Sequence, residues 1–224
     1  MEIHFLTCLE TWTINDFHYL MSRTSEEVIA SLKDKIEPIF ADLIAKTRYS
    51  GNPDQMILVA IKDTLKMEVW FKYNDRFMMV KTYPILAYSG KLGPKLLEGD
   101  KQIPEGIYRL EYLNPNSKFY LSAKINYPND FDQFYATQEA RLHPGSDIFI
   151  HGKEQSTGCI AIGDSAMEEV FYMIYVLGMN KVKVIITPHD FRKIPVPPKV
   201  HPDWVNDLYH QLSDEMQILK NHNL

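Results

Sequence analysis

Five short strand-like runs between residues 56 and 125 constrain the possible fold of this chain more than any other feature. They are rich in aliphatic and aromatic residues, and polar or turn-forming residues separate several of them. The runs cover residues 56–61, 66–72, 76–84, 107–113 and 119–125. Asn74-Asp75 suits a hairpin turn, and the Asn-Pro-Asn-Ser sequence at residues 114–117 suits another. We therefore predict mostly antiparallel strands in a β-barrel or sandwich.

Helical patterns flank these strands. Ser22 or Thr24 is a suitable N-terminal cap, and apolar residues then recur at helical spacing, with Pro38 as a predicted kink or restart. A second helix is predicted from about residue 164, and an amphipathic helix from about residue 203. The sequence thus predicts a mainly β fold with flanking helices, of the α+β class.

We divide the chain into three predicted segments. Residues 1–52 form a helical segment, residues 53–195 form the β-rich domain, and residues 196–224 form a Pro-rich linker with a C-terminal amphipathic helix. We expect this last helix to dock on the domain, because it has few of the basic residues that membrane binding would require. The role of the first segment is predicted only as packing against the domain.

Composition excludes several classes of function. The 224 residues carry a formal net charge of −5, which argues against a nucleic-acid surface. No apolar run reaches the roughly 18 residues of a membrane span. The two cysteines, Cys8 and Cys159, allow at most one disulfide. The acidic N-terminus does not resemble a signal peptide, so we expect a cytoplasmic protein, another export route, or a chain whose export segment has been removed.

The stretch from residue 147 to 164, DIFIHGKEQSTGCIAIGD, carries the candidate chemistry. His151 and Gly152 follow a short apolar strand, and Gly158 precedes Cys159 in a turn. A thiol nucleophile needs a base such as imidazole and nearby backbone N–H groups for the oxyanion. Two other interpretations remain open at this point: Cys159 as a small buried apolar residue, or a zinc site that adds His143.

The sequence HGKEQSTGC resembles the signature of the L,D-transpeptidase catalytic (YkuD-like) domain family. LEGDKQIPEGIYRL, at residues 97–110, is similar to the family strand that faces the nucleophile. TYPILAYSGKLGPKLLEGD, LNPNSKFYLSAKINYPNDFD and KVKVIITPHDFR are similar to further blocks of its YafK or DpaA-like branch. The resemblance is collinear over roughly residues 55–195, and it implies a YkuD-like barrel or sandwich that carries a Cys-His site.

The resemblance also implies roles. Cys159 would be the acylated nucleophile, His151 its general base, and the Gly152 carbonyl would orient the imidazole. The backbone at Gly158 and Cys159 would form the oxyanion hole. Thr157 stands where many members have His, which favours the YafK-like branch over ordinary cross-linking enzymes. Ala161 stands where many have Arg or Asn, and it favours the same branch.

Family substrates are peptidoglycan stem peptides, which are attacked at the L-centre of meso-diaminopimelate. The resemblance therefore implies a polar, partly cationic groove and neither metal nor cofactor. Candidate cations are Lys91, Lys95, Lys101, Arg141 and Arg192. Candidate groove or turn residues are Tyr83, Tyr88, Tyr127, Tyr135, Ser156 and Thr157, whereas His143 and His189 are predicted to be structural.

The branch implies that hydrolysis detaches a covalently linked lipoprotein from peptidoglycan, which would occur in the periplasm. Acyl transfer to an amine, as in an L,D-transpeptidase, is the related outcome. A cytoplasmic L,D-carboxypeptidase that trims recovered muropeptides is a second hypothesis. A non-catalytic wall-binding module that retains the fold is a third, and it predicts an unreactive Cys159.

Overall fold

The structure is a computed structural model, and it describes residues 22–220. That part of the chain contains four helices, a short 3-10 turn and eight strands. In chain order they are α1 Ser25–Lys46, β1 Gln55–Ile61, β2 Lys66–Tyr73, β3 Arg76–Pro84, β4 Gly106–Ser117, β5 Tyr120–Ile125, α2 Asp130–Gln138, β6 Phe149–His151, β7 Ile160–Ala161, α3 Asp164–Leu177, the 3-10 turn Met179–Lys181, β8 Val182–Thr187 and α4 Trp204–Lys220. The predictions about Cys8 and a signal peptide lie outside the described residues.

The eight strands form one mixed sheet in the order β3-β2-β1-β8-β4-β5-β6-β7. Most neighbours are antiparallel, but β1 pairs with β8 and β6 pairs with β7 in parallel. The segment after β3 reaches the opposite edge, where Ala87 bridges Ala161 and the Leu86 N–H donates to the Ala161 carbonyl at 2.8 Å. A curved mixed sheet with flanking helices confirms the predicted α+β class.

Strand β1 explains why residues 56–61 are apolar without interruption. Side chains alternate across a strand, and a strand that is buried on both faces needs apolar residues at every position. Met56, Leu58 and Ala60 pack in the main core, which also contains the buried faces of α1 and α3. Ile57, Val59 and Ile61 pack in a second core, which α4 covers. The C-terminal helix is therefore docked, as expected.

Helix α1 begins as the sequence predicts. The Thr24 hydroxyl accepts from the Glu27 N–H at 3.2 Å, and the Glu27 carboxylate accepts from the Thr24 N–H at 2.8 Å, which makes a reciprocal capping box. The predicted restart at Pro38 is wrong, because one helix continues through that position. Lys35 on α1 forms an ion pair with Glu168 on α3, so the N-terminal helix is joined to the domain.

The predicted turn at residues 114–117 is also wrong, because β4 continues to Ser117 and pairs there with Tyr120. Contacts distant in the sequence support this extension. The Arg23 side chain donates to the Pro115 carbonyl at 2.6 Å, and the Arg23 N–H donates to the Asn116 side chain at 2.9 Å. The reversal instead falls between β4 and β5.

Helix α2 lies between β5 and β6, where no helix was predicted from the sequence. Its capping box uses Asn129 and Asp132, in which each side chain accepts from the other residue's N–H, at 3.0 and 3.1 Å. The capping-box pattern recognised in sequences has Ser or Thr at the N-cap and Glu or Gln three residues later, whereas this helix has Asn and Asp at those positions. Within residues 22–220, no helix combines the length and the apolar character that crossing a bilayer requires.

Candidate active site

Parallel pairing of β6 and β7 sets the position of His151 relative to the segment that carries Cys159. Ile150 pairs with Ile160, and His151 pairs with Ala161. Paired residues project to the same face of a sheet, and side chains alternate along each strand. Cys159 directly precedes β7, and its thiol contacts the carbonyl of Asp147, two residues before β6.

The His151 imidazole is buried and held in one tautomer. His151 is only 1% exposed. Its Nδ1 lies 2.5 Å from the Gly152 carbonyl oxygen. A carbonyl oxygen only accepts, so Nδ1 carries the proton and Nε2 has a free lone pair. Nε2 has no hydrogen-bond partner among the described residues. Burial lowers the pKa of His151, against the opposing effect of the Gly152 contact.

The Cys159 thiol is half-buried and free of disulfides. Its Sγ lies 3.6 Å from the Asp147 carbonyl oxygen, so the thiol donates a weak hydrogen bond there. Burial raises the pKa of Cys159; the carboxylate of Asp147 adds to that rise, and the ammonium of Lys95 opposes it. The lowered imidazole pKa and the raised thiol pKa both favour the neutral forms of the two groups at pH 7.

The turn before Cys159 requires a glycine. Gly158 has a φ of +87°, a left-handed conformation that side chains disfavour. Its N–H donates to the Ser89 hydroxyl at 2.8 Å. The Cys159 N–H donates to the Ser156 hydroxyl at 3.1 Å, and that hydroxyl donates to the Cys159 carbonyl at 2.8 Å. Both N–H groups expected to form an oxyanion hole therefore donate to serine hydroxyls in this structure.

Gly152 is confined by its neighbours. A Cβ at this position would lie 2.6 Å from the Asp164 carboxylate and 2.8 Å from the Phe119 carbonyl oxygen. The Phe119 ring also packs on His151, with 4.5 Å between ring centroids. Absence of a side chain at residue 152 thus allows the β5–β6 edge and the start of α3 to close around the imidazole.

We predict that Gly152→Ala lowers the free energy of unfolding by about 2–3 kcal/mol, because the added methyl group forces a backbone carbonyl and a carboxylate apart. Urea denaturation measures this change. Gly51→Ala is a control without a steric clash: residue 51 has no atom within 4 Å of a new Cβ, and its φ of +79° adds a backbone cost that residue 152 does not have, which makes the comparison stringent. The steric explanation is wrong if Gly152→Ala is no more destabilising than this control.

Among the predicted cations, Lys101 lies beside the Gly158 turn. Its carbonyl accepts from the Ser89 hydroxyl at 2.7 Å, and its backbone lies within 4 Å of the position that a Gly158 Cβ would occupy. Its side chain is exposed. Lys91 is exposed on the same loop, where its N–H donates to the Gln102 side chain at 2.5 Å. These two lysines are therefore placed where they could contact a ligand.

The other predicted cations pair with acidic side chains. Lys95 is buried and pairs with Asp100 at 2.6 Å, although its ammonium still lies close enough to Cys159 to act on the pKa of that thiol. Arg141 pairs with Glu139 at 2.7 Å and donates to the Leu96 carbonyl. Arg192 contacts Glu68 on β2 through two nitrogens, at 2.9 and 2.7 Å, and also contacts Asp190. Because β2 is remote from β6 and β7 in the sheet, the structure does not bring Arg192 to the candidate site.

The predicted tyrosines are mostly structural. Tyr83 donates to Glu169 on α3 at 2.8 Å. Tyr127 donates to the carbonyls of Lys95 and Pro144, and Tyr135 stacks on Trp204. The Tyr88 hydroxyl is buried without a partner among the described residues.

The candidate zinc ligands do not form a metal site. Of these ligands, His143 is exposed. His189, which was predicted to be structural, lies 2.8 Å from Asp63. In the described part of the chain, no group of three His, Cys, Asp or Glu side chains could hold a metal ion.

Three residues of the site have no distinctive sequence signal. Ser89 lies 69 positions before Gly158. Phe119 lies in a predicted strand, and Asp147 is the first residue of the 147–164 stretch, with no chemical role predicted for it. Each reaches the site through tertiary packing. The SGKLGP block that contains Ser89 marked a region of family resemblance, which was the one available indication.

Comparison with known proteins places this fold and motif in one class. Residues 54–186, more than half of the chain, match the L,D-transpeptidase catalytic domain (YkuD). The chain therefore belongs to that family. It is also 30% identical over 148 residues to YafK of Escherichia coli K12, named as an L,D-transpeptidase, and this covers 64% of the chain. The aligned part spans only 57% of YafK.

Solved structures agree on the fold. The helical cell shape determining protein Pgp2 of Campylobacter jejuni superposes with a TM-score of 0.51 for its K307A mutant, at 20% identity. The match covers 87% of this chain and 61% of Pgp2. At this level of identity the likeness establishes the fold alone.

Proposed function

We propose that this chain is a cysteine-dependent peptidoglycan enzyme in which Cys159 is the nucleophile and His151 is its general base. One observation carries the proposal. The proposal is supported by a buried imidazole on β6, whose Nε2 has no partner among the described residues, and by a half-buried thiol directly before β7, the strand that pairs with β6. The Gly152 carbonyl already selects the tautomer that accepts a proton at Nε2.

In the proposed cycle, the Cys159 thiol leaves the Asp147 carbonyl and gives its proton to His151 Nε2. The sulfur attacks the carbonyl at the L-centre of meso-diaminopimelate, and the tetrahedral intermediate collapses to a thioester. The imidazolium returns the proton to the departing amine. A water molecule then loses a proton to Nε2 and attacks the thioester, which releases a carboxylic acid and restores the thiol.

The oxyanion would be stabilised by the N–H groups of Gly158 and Cys159. These groups donate to the hydroxyls of Ser89 and Ser156 in the resting structure. We infer that the oxyanion replaces or shares those hydroxyl contacts when it forms. The left-handed turn at Gly158 fixes the two N–H groups beforehand, so little reorganisation is required in the transition state.

Family membership and the similarity to YafK support a peptidoglycan stem peptide as substrate. The exposed ammonium groups of Lys91 and Lys101 suit its carboxylates. Such a substrate lies in the periplasm of bacteria with an outer membrane, and we propose that compartment for the activity.

We propose that hydrolysis is the main outcome and that it releases a lipoprotein attached to diaminopimelate. Residue 161 is a buried alanine, so this position provides no cation for the carboxylate of an acceptor peptide. Residue 157 is an exposed threonine rather than a histidine. Weak binding of an acceptor amine leaves water as the competing nucleophile at the thioester.

The pKa directions give a pH prediction. Because the His151 pKa lies below its ordinary value of 6.5, the imidazole stays neutral as pH falls through 6.5, and the acid limb of kcat/KM should have its midpoint below that value. Because the Cys159 pKa lies above its ordinary value of 9.0, alkylation by iodoacetamide should still increase as pH rises through 9.0.

Stopped alkylation assays followed by mass spectrometry of the peptide that contains Cys159 measure the second effect, with the Cys159→Ala protein as the blank. An alkylation rate that has already reached its plateau at pH 7 would indicate a preformed thiolate–imidazolium pair and would contradict the neutral resting site.

The substrate is tested with sacculi that carry covalently bound lipoprotein, assayed beside a soluble tetrapeptide muropeptide and beside sacculi supplied with an acceptor amine. We expect lipoprotein release that leaves a free diaminopimelate carboxyl group. Cleavage of the soluble tetrapeptide alone would favour the L,D-carboxypeptidase, and a new amide with the acceptor would favour transpeptidation. No product with any of the three substrates would overturn the proposal.

A further inference from the structure

A buried ion pair lies at the base of the long loop between β3 and β4, outside the β6–β7 site. Lys62 directly follows β1, and Glu105 directly precedes β4. Their side chains are 1% and 0% exposed, and 2.8 Å separates Lys62 Nζ from Glu105 Oε1. Charges are costly to bury even when paired, so stability alone is a weak reason for this pair.

Lys62 holds both branches of the loop at once. Its Nζ donates to the Gly93 carbonyl and to the Ile103 carbonyl, each at 2.9 Å, in addition to Glu105. The ammonium group has three N–H donors, and these three contacts use all of them. One buried group therefore joins two points of the loop that are ten residues apart in sequence.

Glu105 completes the network. Its Oε1 also accepts from the Gly93 N–H at 2.7 Å, so both backbone groups of Gly93 are fixed. Its Oε2 accepts from the Tyr209 hydroxyl at 2.7 Å. Tyr209 lies on α4, so the C-terminal helix is connected through one carboxylate to the loop.

The same loop contacts the turn before the nucleophile. Ser89, on the branch before Gly93, accepts from the Gly158 N–H at 2.8 Å and donates to the Lys101 carbonyl at 2.7 Å. Gln102, beside Ile103 on the other branch, has its carbonyl oxygen 3.3 Å from the position of a Gly158 Cβ. Both branches therefore touch Gly158 close to the points that Lys62 holds.

We propose that Lys62, Glu105 and Tyr209 are positioning residues that hold the 89–105 loop against Gly158 and couple the C-terminal helix to the oxyanion-binding turn. This rests on the proposed function, because that turn matters only if Cys159 is acylated. None of the three touches the reacting atoms; they act through Ser89 and Gln102. The loop also carries Lys91 and Lys101, so the same network sets where those ammonium groups lie.

The test uses the double variant Lys62→Met with Glu105→Gln in the full chain. Methionine fills the space of the lysine without donors, and glutamine retains groups that can bond Gly93 and Tyr209. Removing the whole pair leaves no unpaired buried charge, so the variant should fold. We expect kcat for product release to fall at least tenfold with KM changed less than threefold, because the substrate groove is kept and the oxyanion site is loosened.

A second measurement does not depend on activity. Hydrogen–deuterium exchange of peptides that cover residues 89–105 and 156–160 should become at least tenfold faster in the double variant. The matched control is Lys183→Met with Glu215→Gln, which removes a Lys–Glu pair of 2.8 Å between β8 and the same helix α4. That control should leave kcat and the exchange of both peptides at the wild-type values.

The outcomes separate this proposal from the proposed function. Wild-type kcat and wild-type exchange in the double variant, while Cys159→Ala is inactive, would overturn the positioning role alone. Activity retained by Cys159→Ala would overturn the proposed function, and the exchange result would still decide whether the network holds the loop. If the double variant does not fold, Tyr209→Phe replaces it; kcat lowered at least threefold supports the coupling to α4, and unchanged kcat and exchange overturn it.

Discussion

Cys159→Ala is expected to lower the rate of product release from sacculi by roughly 10⁴-fold or more, to the background of the assay. The substitution removes the only protein atom that forms a bond to the substrate carbonyl in the proposed mechanism. The Cys159 thiol is half-buried and its hydrogen bond to the Asp147 carbonyl is weak, so the variant should retain its fold. Chromatographic detection of released muropeptides, together with thermal unfolding, measures both effects.

Cys8→Ala is the matched control, since it removes the only other cysteine of the chain and should leave the rate unchanged. Iodoacetamide pretreatment of the wild-type protein should reproduce the loss that Cys159→Ala causes, and Cys8→Ala should remain sensitive to the reagent. Product release by Cys159→Ala at a tenth of the wild-type rate or more would exclude the thiol as the nucleophile.

His151→Asn is expected to lower kcat by about 10³-fold, since a positioned general base typically contributes 10²- to 10⁴-fold. The asparagine amide cannot take the thiol proton at the position of Nε2. The neutral thiol of the resting site makes this base necessary, because burial keeps the thiolate population low near pH 7. Steady-state kinetics from pH 5 to pH 10 measure the change.

The residual activity of His151→Asn should rise with pH through 9.0, because free hydroxide then replaces the base and the thiolate forms directly. His189→Asn is the control: that histidine contacts Asp63 and lies outside the site. Equal kcat for His151→Asn and His189→Asn would show that imidazole does not activate the thiol.

The local motif was predictable from sequence, but its geometry was only partly so. The spacing of His151 and Cys159 indicated that the two could meet. The parallel pairing that sets their relative position rests on the two residues of β7, Ile160 and Ala161, which are too few to carry a periodic signal. The sequence therefore predicted a Cys-His pair without the strand register around it.

Strand positions in the fold were predictable where burial dictates composition. The run at residues 56–61 is apolar because β1 is buried on both faces, and α4 was recognisable from its apolar stripe. The prediction of a turn at residues 114–117 was wrong. This Pro-Asn sequence favours a turn in isolation, but contacts from Arg23, about 90 positions away, support the extension of β4 across it.

The contacts of charged side chains were the least predictable feature of the structure. Arg192 and Lys101 are equally plausible ligands from sequence, yet one is committed to Glu68 and Asp190, and the other is exposed beside Gly158. Their difference depends on which partner the fold brings within hydrogen-bonding distance. Lys62 and Glu105 illustrate the same point, since 43 positions separate two groups that share a hydrogen bond.

In the proposed mechanism Cys159 forms a thioester with the stem peptide, and water then cleaves it. The most direct measurement is mass spectrometry of the peptide that contains Cys159, after acid quenching of a reaction with sacculi in H₂¹⁸O. The proposed mechanism predicts a transient adduct on Cys159 whose mass equals the acyl fragment ending at diaminopimelate, and one ¹⁸O atom in the released carboxyl group. A labelled product formed without any acylated Cys159 would contradict it.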